Sequence, residues 1–138
     1  MVLVDTSVWI EVFRRPASID LAREVDFDDV VTCLPVIQEV LQGFADERAY
    51  LTARDAMWAL PRVESPLGPA AFEDAVGLYR RARQAGYTVR SAADCLIAAC
   101  ALRNGVAVLH HDRDFDTLAR VSTLRVQRAR LRGARPRL

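Results

Sequence analysis

Val2-Leu3-Val4-Asp5-Thr6-Ser7-Val8-Trp9-Ile10 opens the chain, and its reading decides the rest. Three successive apolar residues read as a strand buried on both faces, and Asp5 ends it. Thr6 and Ser7 supply N-cap chemistry for a helix expected through about Phe13. A strand that hands directly to a helix is the first half of a βα unit, and the pattern recurs. A second strand is expected near Val30–Cys33. Pro35 then marks a first helical turn, with Val36, Ile37, Val40, Leu41 and Phe44 as its apolar stripe. Asp46 opens a helix with Ala49, Ala53, Ala56, Met57 and Leu60 on one side. Past the loop Pro61–Pro69, Phe72, Val76, Tyr79 and Ala82 recur at helical spacing until Gly86 stops them. Ser91 caps a helix through about Arg103, Gly105 ends it, and Val106–Leu109 forms a third strand. A short helix around Phe115–Val121 and a strand at Leu124–Gln127 complete the pattern. Short apolar strands alternating with amphipathic helices predict one α/β domain on a mostly parallel sheet. Ligands of such sheets sit beyond the carboxyl ends of the strands.

The composition agrees. The 138 residues are 51% apolar and 27% charged, which suits one soluble globular domain. No apolar run reaches ~18 residues, and the first residues lack a signal peptide's basic region and cleavage site. A cytoplasmic location without a membrane partner is therefore expected. Three cysteines, an odd number, fit a reducing compartment better than a disulfide framework. Cys33, Cys95 and Cys100 read as buried free thiols. All 19 basic side chains are arginine. Residues 1–119 hold 12 of them against all 18 acids, a balance of −6, whereas residues 120–138 hold seven arginines and no acid. The expected organisation is one domain over residues 1–131 and a basic tail over 132–138. That asymmetry points to nucleic acid or another anionic partner, although codon bias and a solvated tail account for it equally well.

The acids are not scattered. Asp5 ends the first strand, and Asp112 follows the third by three residues, with Asp114 and Asp116 close behind. Each alone reads as a helix cap or turn residue. Asp94 is the only charge between Ala92 and Leu102, so its helix is expected to be buried. An unpaired carboxylate there is very costly and requires a partner or a metal. Ser91-Ala92-Ala93-Asp94 also matches a capping box, which gives the same residue a structural use. Glu39 lies at the rim of the Val36/Val40 stripe, on a helix that starts at the same sheet edge. Four carboxylates in one pocket repel: unit charges ~4 Å apart oppose each other by about 4 kcal/mol at an effective dielectric of 20. Divalent cations relieve that repulsion, and oxygen-only ligands suit Mg²⁺ or Mn²⁺ rather than zinc. Such ions activate water and stabilise a phosphodiester in flight, so hydrolysis of nucleic acid is the natural chemistry.

Four segments carry a family resemblance: Asp5-Thr6-Ser7-Val8-Trp9-Ile10, Val36-Ile37-Gln38-Glu39-Val40-Leu41-Gln42-Gly43, Arg90-Ser91-Ala92-Ala93-Asp94-Cys95-Leu96-Ile97-Ala98-Ala99 and His111-Asp112-Arg113-Asp114-Phe115. In this order they resemble a PIN domain, specifically a VapC-type toxin ribonuclease, over roughly residues 1–120. The resemblance implies a three-layer α/β/α sandwich and Mg²⁺- or Mn²⁺-dependent endoribonuclease activity on RNA, whether tRNA, rRNA or mRNA. It implies a homodimer, and a VapB-like antitoxin whose carboxyl-terminal segment occupies the groove. Asp5, Glu39, Asp94 and Asp112 would form the acidic site. Asp5, Asp94 and Asp112 would hold metal with Asp114, and Thr6 or Ser7 would add a supporting hydroxyl. The chain departs from the family at His110, where Ser or Thr is usual.

Other residues carry weaker signals. His110 and His111 leave a strand toward opposite faces, so both cannot easily ligate one metal. Trp9 and Trp58 read as core or dimer-face aromatics. Arg80, Arg81 and Arg83 form a basic helix face, solvated or in contact with RNA phosphate. Arg130 and Arg132, among the arginines near the carboxyl end, suit an RNA backbone because guanidinium pairs bidentately with phosphate. Two rival readings are a receiver-like phosphotransfer domain, which normally needs a lysine that this chain lacks, and a non-catalytic interaction module whose acids only cap helices.

Overall fold

The computed structural model describes residues 1–133. In chain order it contains β1 (Val2–Val4), α1 (Thr6–Phe13), α2 (Leu21–Glu24), a 3-10 turn (Phe27–Asp29), β2 (Val30–Val31) and α3 (Leu34–Gln42). There follow α4 (Glu47–Ala59), α5 (Pro69–Gln84), α6 (Ala92–Asn104), β3 (Ala107–His110), α7 (Arg113–Arg120) and β4 (Val126–Arg128). The strands are all parallel, in the order β2-β1-β3-β4. Leu3 and Val4 are both fully buried, as are Val108 and Leu109. Successive strand residues face opposite ways, so helices cover both sides of the sheet. This is the expected α/β/α sandwich.

Strand order positions the site. β2 lies on one side of β1, and β3 and β4 lie on the other. The chain therefore reverses its direction across the sheet between β1 and β3, and the crevice beyond their carboxyl ends is the switch point. Val4 pairs in register with Leu109, and the Asp5 N–H donates to the Leu109 carbonyl at 2.9 Å. Asp5 and the segment His110–Asp112 are thus brought to one edge by backbone pairing alone.

Local chemistry sets the helix limits. Asp5, Asp46 and Asp112 cap α1, α4 and α7 through side-chain bonds to backbone N–H groups, satisfying donors that the first turn leaves open. Gly105 ends α6 at φ 65, a left-handed conformation that costs glycine nothing. Helix α6 is buried through Asp94, Cys95, Ile97, Ala98, Ala99, Cys100 and Ala101, and it packs on α3, α5, α7 and β3.

The structure differs from the sequence reading in several places: Asp5 rather than Thr6 or Ser7 caps α1, and Ala56 on α4 is exposed. On α5 the buried stripe is Ala71, Ala75, Leu78 and Ala82, while Phe72 and Val76 are half exposed. The helical period is the expected one, but its phase is moved by one residue. Helix α6 presents mostly small side chains to α5, and alanines on α5 let the two backbones approach closely. The last two strands begin later than expected, β3 at Ala107 and β4 at Val126. Helix α2 has four residues, too few to nucleate on local propensity, and so leaves no periodic trace in the sequence. Ser91 precedes α6 but makes no side-chain cap bond, so the capping box is not formed. Arg135 and Arg137 of the basic tail lie outside the described residues.

The phase of α5 has a measurable consequence. Leu78→Ala empties a fully buried site and is expected to lower stability by about 2–5 kcal/mol. Leu51→Ala, at a residue 40% exposed on α4, is expected to change it by under about 1 kcal/mol. Urea denaturation of both variants measures the contrast.

Candidate metal centre

The five acidic residues come from four places in the fold. Asp5 stands at the end of β1, Glu39 on α3 and Asp94 in the first turn of α6. Asp112 caps α7, and Asp114 lies in its first turn. Asp5, Asp94 and Asp114 are buried, at 2%, 5% and 3% exposure. Asp94, Asp112 and Asp114 each offer a carboxylate oxygen, and these lie within 4.8 Å of one another. Asp5 joins them electrostatically, since its charge acts on the Asp94 carboxyl.

Two hydroxyls hold the arrangement. The Ser7 Oγ donates to Asp5 Oδ2 at 2.6 Å and accepts from the His111 N–H at 2.9 Å, tying the end of β1 to the end of β3. The Ser7 N–H donates to the same Asp5 oxygen at 3.0 Å. Thr6 Oγ1 donates to Glu39 Oε1 at 2.8 Å, fixing α3 to α1. The sequence reading asked for a hydroxyl from Thr6 or Ser7. The structure uses both, for different carboxylates.

What remains unsatisfied is informative. Among the described residues, Asp5 Oδ1 and Asp94 Oδ2 are buried with no hydrogen-bond donor. Buried polar atoms are normally paired, and carboxylate oxygens especially so. Burial, partly offset by the Ser7 bonds, raises the Asp5 carboxyl to about 6. Burial first, and then the charges of Asp5, Asp112 and Asp114, push Asp94 up to about 9. Asp94 therefore keeps a proton at neutral pH when no cation is present. An oxygen-only donor set with two buried oxygens lacking donors fits a hard divalent cation.

His110 stands beside the cluster, where the resemblance leads one to expect Ser or Thr. Its ring is fully buried and lies 5.4 Å from the Phe115 ring, centroid to centroid. Nδ1 accepts the Asp112 N–H at 3.2 Å. The ring proton then belongs on Nε2, 3.3 Å from Asp116 Oδ1 but poorly aligned for a hydrogen bond. Burial lowers the His110 pKa, so the ring is neutral at pH 7. His111 Nδ1 lies 3.2 Å from the Ala129 carbonyl. Neither ring belongs to the acidic cluster.

The remaining candidates are dispersed. Arg80, Arg81 and Arg83 are exposed near the end of α5. Arg130 Nε lies 3.4 Å from Glu24 Oε1, and an Arg132 nitrogen lies 3.8 Å from Asp20 Oδ2. Both belong to the segment that runs beside α2, and each already faces an acid. Trp9 is buried and stacks on Phe13, whereas Trp58 is half exposed beneath the Arg62 guanidinium. Cys33, Cys95 and Cys100 are free and buried, as expected. Arg90 is the residue that sequence reasoning passed over: its guanidinium lies 3.8 Å from Asp114 and 3.9 Å from Asp112. Its place four residues before Asp94, in the segment quoted for the resemblance, was the available signal.

The raised Asp94 value sets a pH dependence. A carboxyl raised in the folded state favours folding while protonated, and that contribution is lost as pH rises from about 4 toward 9. Asp94→Asn removes the loss. In EDTA at pH 8 the variant is expected to be more stable than the parent by on the order of 2 kcal/mol, several degrees in Tm. Its Tm should also vary less with pH, which thermal melts from pH 5 to 9 measure.

Comparison with known proteins agrees with this geometry. The PIN domain profile matches residues 2–121. The VapC ribonuclease Mb1587 of Mycobacterium bovis is 41% identical over 132 residues, covering 90% of this chain and 96% of that protein. Ribonuclease VapC11 of Mycobacterium tuberculosis gives the same figures. Among solved structures, DNA-bound VapBC from Salmonella typhimurium superposes with a TM-score of 0.72 at 18% identity, over 92% of this chain and 96% of that one. Sequence, fold and the grouping of carboxylates at the switch point concur: this chain belongs to the PIN domain family.

Proposed function

We propose that the chain is a divalent-metal-dependent endoribonuclease and the toxin of a toxin–antitoxin pair. The observation that carries this reading is the buried acidic cluster with two carboxylate oxygens lacking donors. Relatives named as VapC ribonucleases, matched over 90% of the chain, support it. A module whose acids only cap helices would spend each carboxylate on a backbone N–H. Asp94 makes no such bond.

In this reading Asp5, Asp94, Asp112 and Asp114 hold Mg²⁺ or Mn²⁺. The bound ion supplies Lewis-acid stabilisation of the phosphodiester and lowers the pKa of attached water. The protein residues do the rest. Ser7 keeps Asp5 turned inward, and His110 keeps the Asp112 backbone in its capping conformation. Thr6 engages one oxygen of Glu39 and leaves the other to orient an attacking water. Asp94 gives up its proton when the site is loaded, so loading strengthens as pH rises. Arg80, Arg81 and Arg83, with Arg130 and Arg132, are proposed as weaker RNA contacts along the rim. The body over residues 1–131 carries this function, with residues 132–138 as a basic extension.

Two protein partners follow. A groove lined by Phe72, Val76, Tyr79, Ala93 and Leu96 is almost wholly apolar, and Phe72 and Val76 on it are half exposed. We assign this face to a second copy of the chain. The second partner is a VapB-like antitoxin. Ile10, Phe13, Val40 and Phe44 line a groove between α1 and α3 that seats an apolar peptide face. The carboxylates beyond it suit a cationic side chain. No helix among the described residues is long and apolar enough to cross a membrane, and the three free thiols suit a cytoplasmic location.

Two experiments test the reading. Purified protein is expected to cleave RNA with Mg²⁺ or Mn²⁺ and to stop on addition of EDTA. Asp5→Asn and Asp94→Asn are expected to lose at least about 100-fold in rate while remaining folded by circular dichroism. Activity that survives EDTA, or full activity in either variant, overturns the assignment. For the dimer, Phe72→Asp places a charge in the apolar groove. Sedimentation is expected to show a shift from dimer to monomer, with an unaltered far-ultraviolet spectrum.

A further inference from the structure

Arg90 stands at the lip of the acidic cluster. Its backbone N–H donates to Asp114 Oδ2 at 3.2 Å, which fixes where the side chain begins. The guanidinium Nε lies 3.8 Å from Asp114 Oδ1, and a terminal nitrogen lies 3.9 Å from Asp112 Oδ1. These separations give charge attraction without hydrogen bonds. The side chain is 56% exposed, so the donors of the fork are drawn toward the cluster but not spent on it. Among the described residues, no other arginine pairs with Asp5, Glu39, Asp94, Asp112 or Asp114.

We infer that Arg90 is the resident cation of the metal-free site and, once the carboxylates are neutralised, the group that grips the phosphate of the RNA. This rests on the nuclease reading above. A guanidinium and a small divalent cation cannot both be held at full strength by Asp112 and Asp114, because the two positive charges repel. Loading the site therefore loosens Arg90 from its carboxylates and presents it at the crevice mouth. Its planar fork matches two phosphate oxygens, which an ammonium does not. Residues 1–119 carry a balance of −6 and on their own repel an RNA backbone, so a cation at the point of cleavage has a definite task. The two roles predict opposite effects of a single substitution. Without Arg90 the ion meets less competition, while the substrate loses its grip.

Arg90→Gln keeps the backbone bond to Asp114, and Arg90→Lys keeps the charge without the fork. The full chain and both variants are titrated with Mn²⁺ by calorimetry without RNA. Cleavage of a fluorogenic oligoribonucleotide is then followed at saturating Mn²⁺. Arg90→Gln is expected to bind Mn²⁺ about two- to fivefold tighter, the strength of a half-exposed ion pair. Its KM for RNA is expected to rise by about 10- to 100-fold, the loss of a charge-assisted phosphate contact. Arg90→Lys should bind Mn²⁺ as the parent does and recover only part of the KM. Equal or weaker Mn²⁺ binding by Arg90→Gln overturns the resident-cation role, and unchanged kinetics overturn the phosphate role. A parent chain that binds no Mn²⁺ overturns the nuclease reading and this inference with it.

Discussion

Like charges crowded into a buried corner are the constraint around which this molecule is arranged. Asp5, Asp94 and Asp114 are almost wholly out of water, and Asp112 on the cap of α7 and Glu39 on α3 close the group. Nothing in the hydrophobic effect favours such a grouping, and Coulomb repulsion opposes it. It persists because four of the five carboxylates are anchored by hydrogen bonds. Asp5 is held by Ser7 and Asp112 caps a helix, while Asp114 takes the Arg90 N–H and Glu39 takes the Thr6 hydroxyl. Asp94 has the least support, and it is the residue whose proton is held most strongly. The strain of the cluster is concentrated on one atom pair, and that is where a cation has most to offer.

The fold was largely legible because its signals are local and repeated. Val2–Val4 and Ala107–His110 are short apolar runs, and each is followed within a few residues by an aspartate that caps a helix. Parallel strands then bring those aspartates to the same edge with no further information. Asp94 drew notice for a different reason: a single charge in an otherwise apolar helix needs a use. The capping box at Ser91 offered a structural one, but Ser91 makes no cap bond.

The failures have a common cause. The phase of α5 depends on how closely α6 approaches, a tertiary distance to which the sequence of α5 alone is blind. Phe72 and Val76 satisfy helical periodicity as well as Ala71 and Ala75 do, and hydrophobicity favoured the larger pair. The departure at His110 was visible, but not that its imidazole Nδ1 accepts the Asp112 N–H. The charge reading of Arg130 and Arg132 stands as a proposal, and what charge alone could not reveal is that Glu24 and Asp20 lie beside them across more than a hundred residues of chain.

β1 is the first strand made, yet its neighbours in the sheet include β3, which begins at Ala107. The hydroxyl clasp from Ser7 likewise closes on His111. Asp5 and Glu39 are therefore synthesised well before β3 and before α7, whose acids complete the group. No amino-terminal fragment ending before Asp112 contains the whole cluster. Any product that stops earlier lacks both Asp112 and Asp114, two of the three carboxylates whose oxygens stand within 4.8 Å of one another.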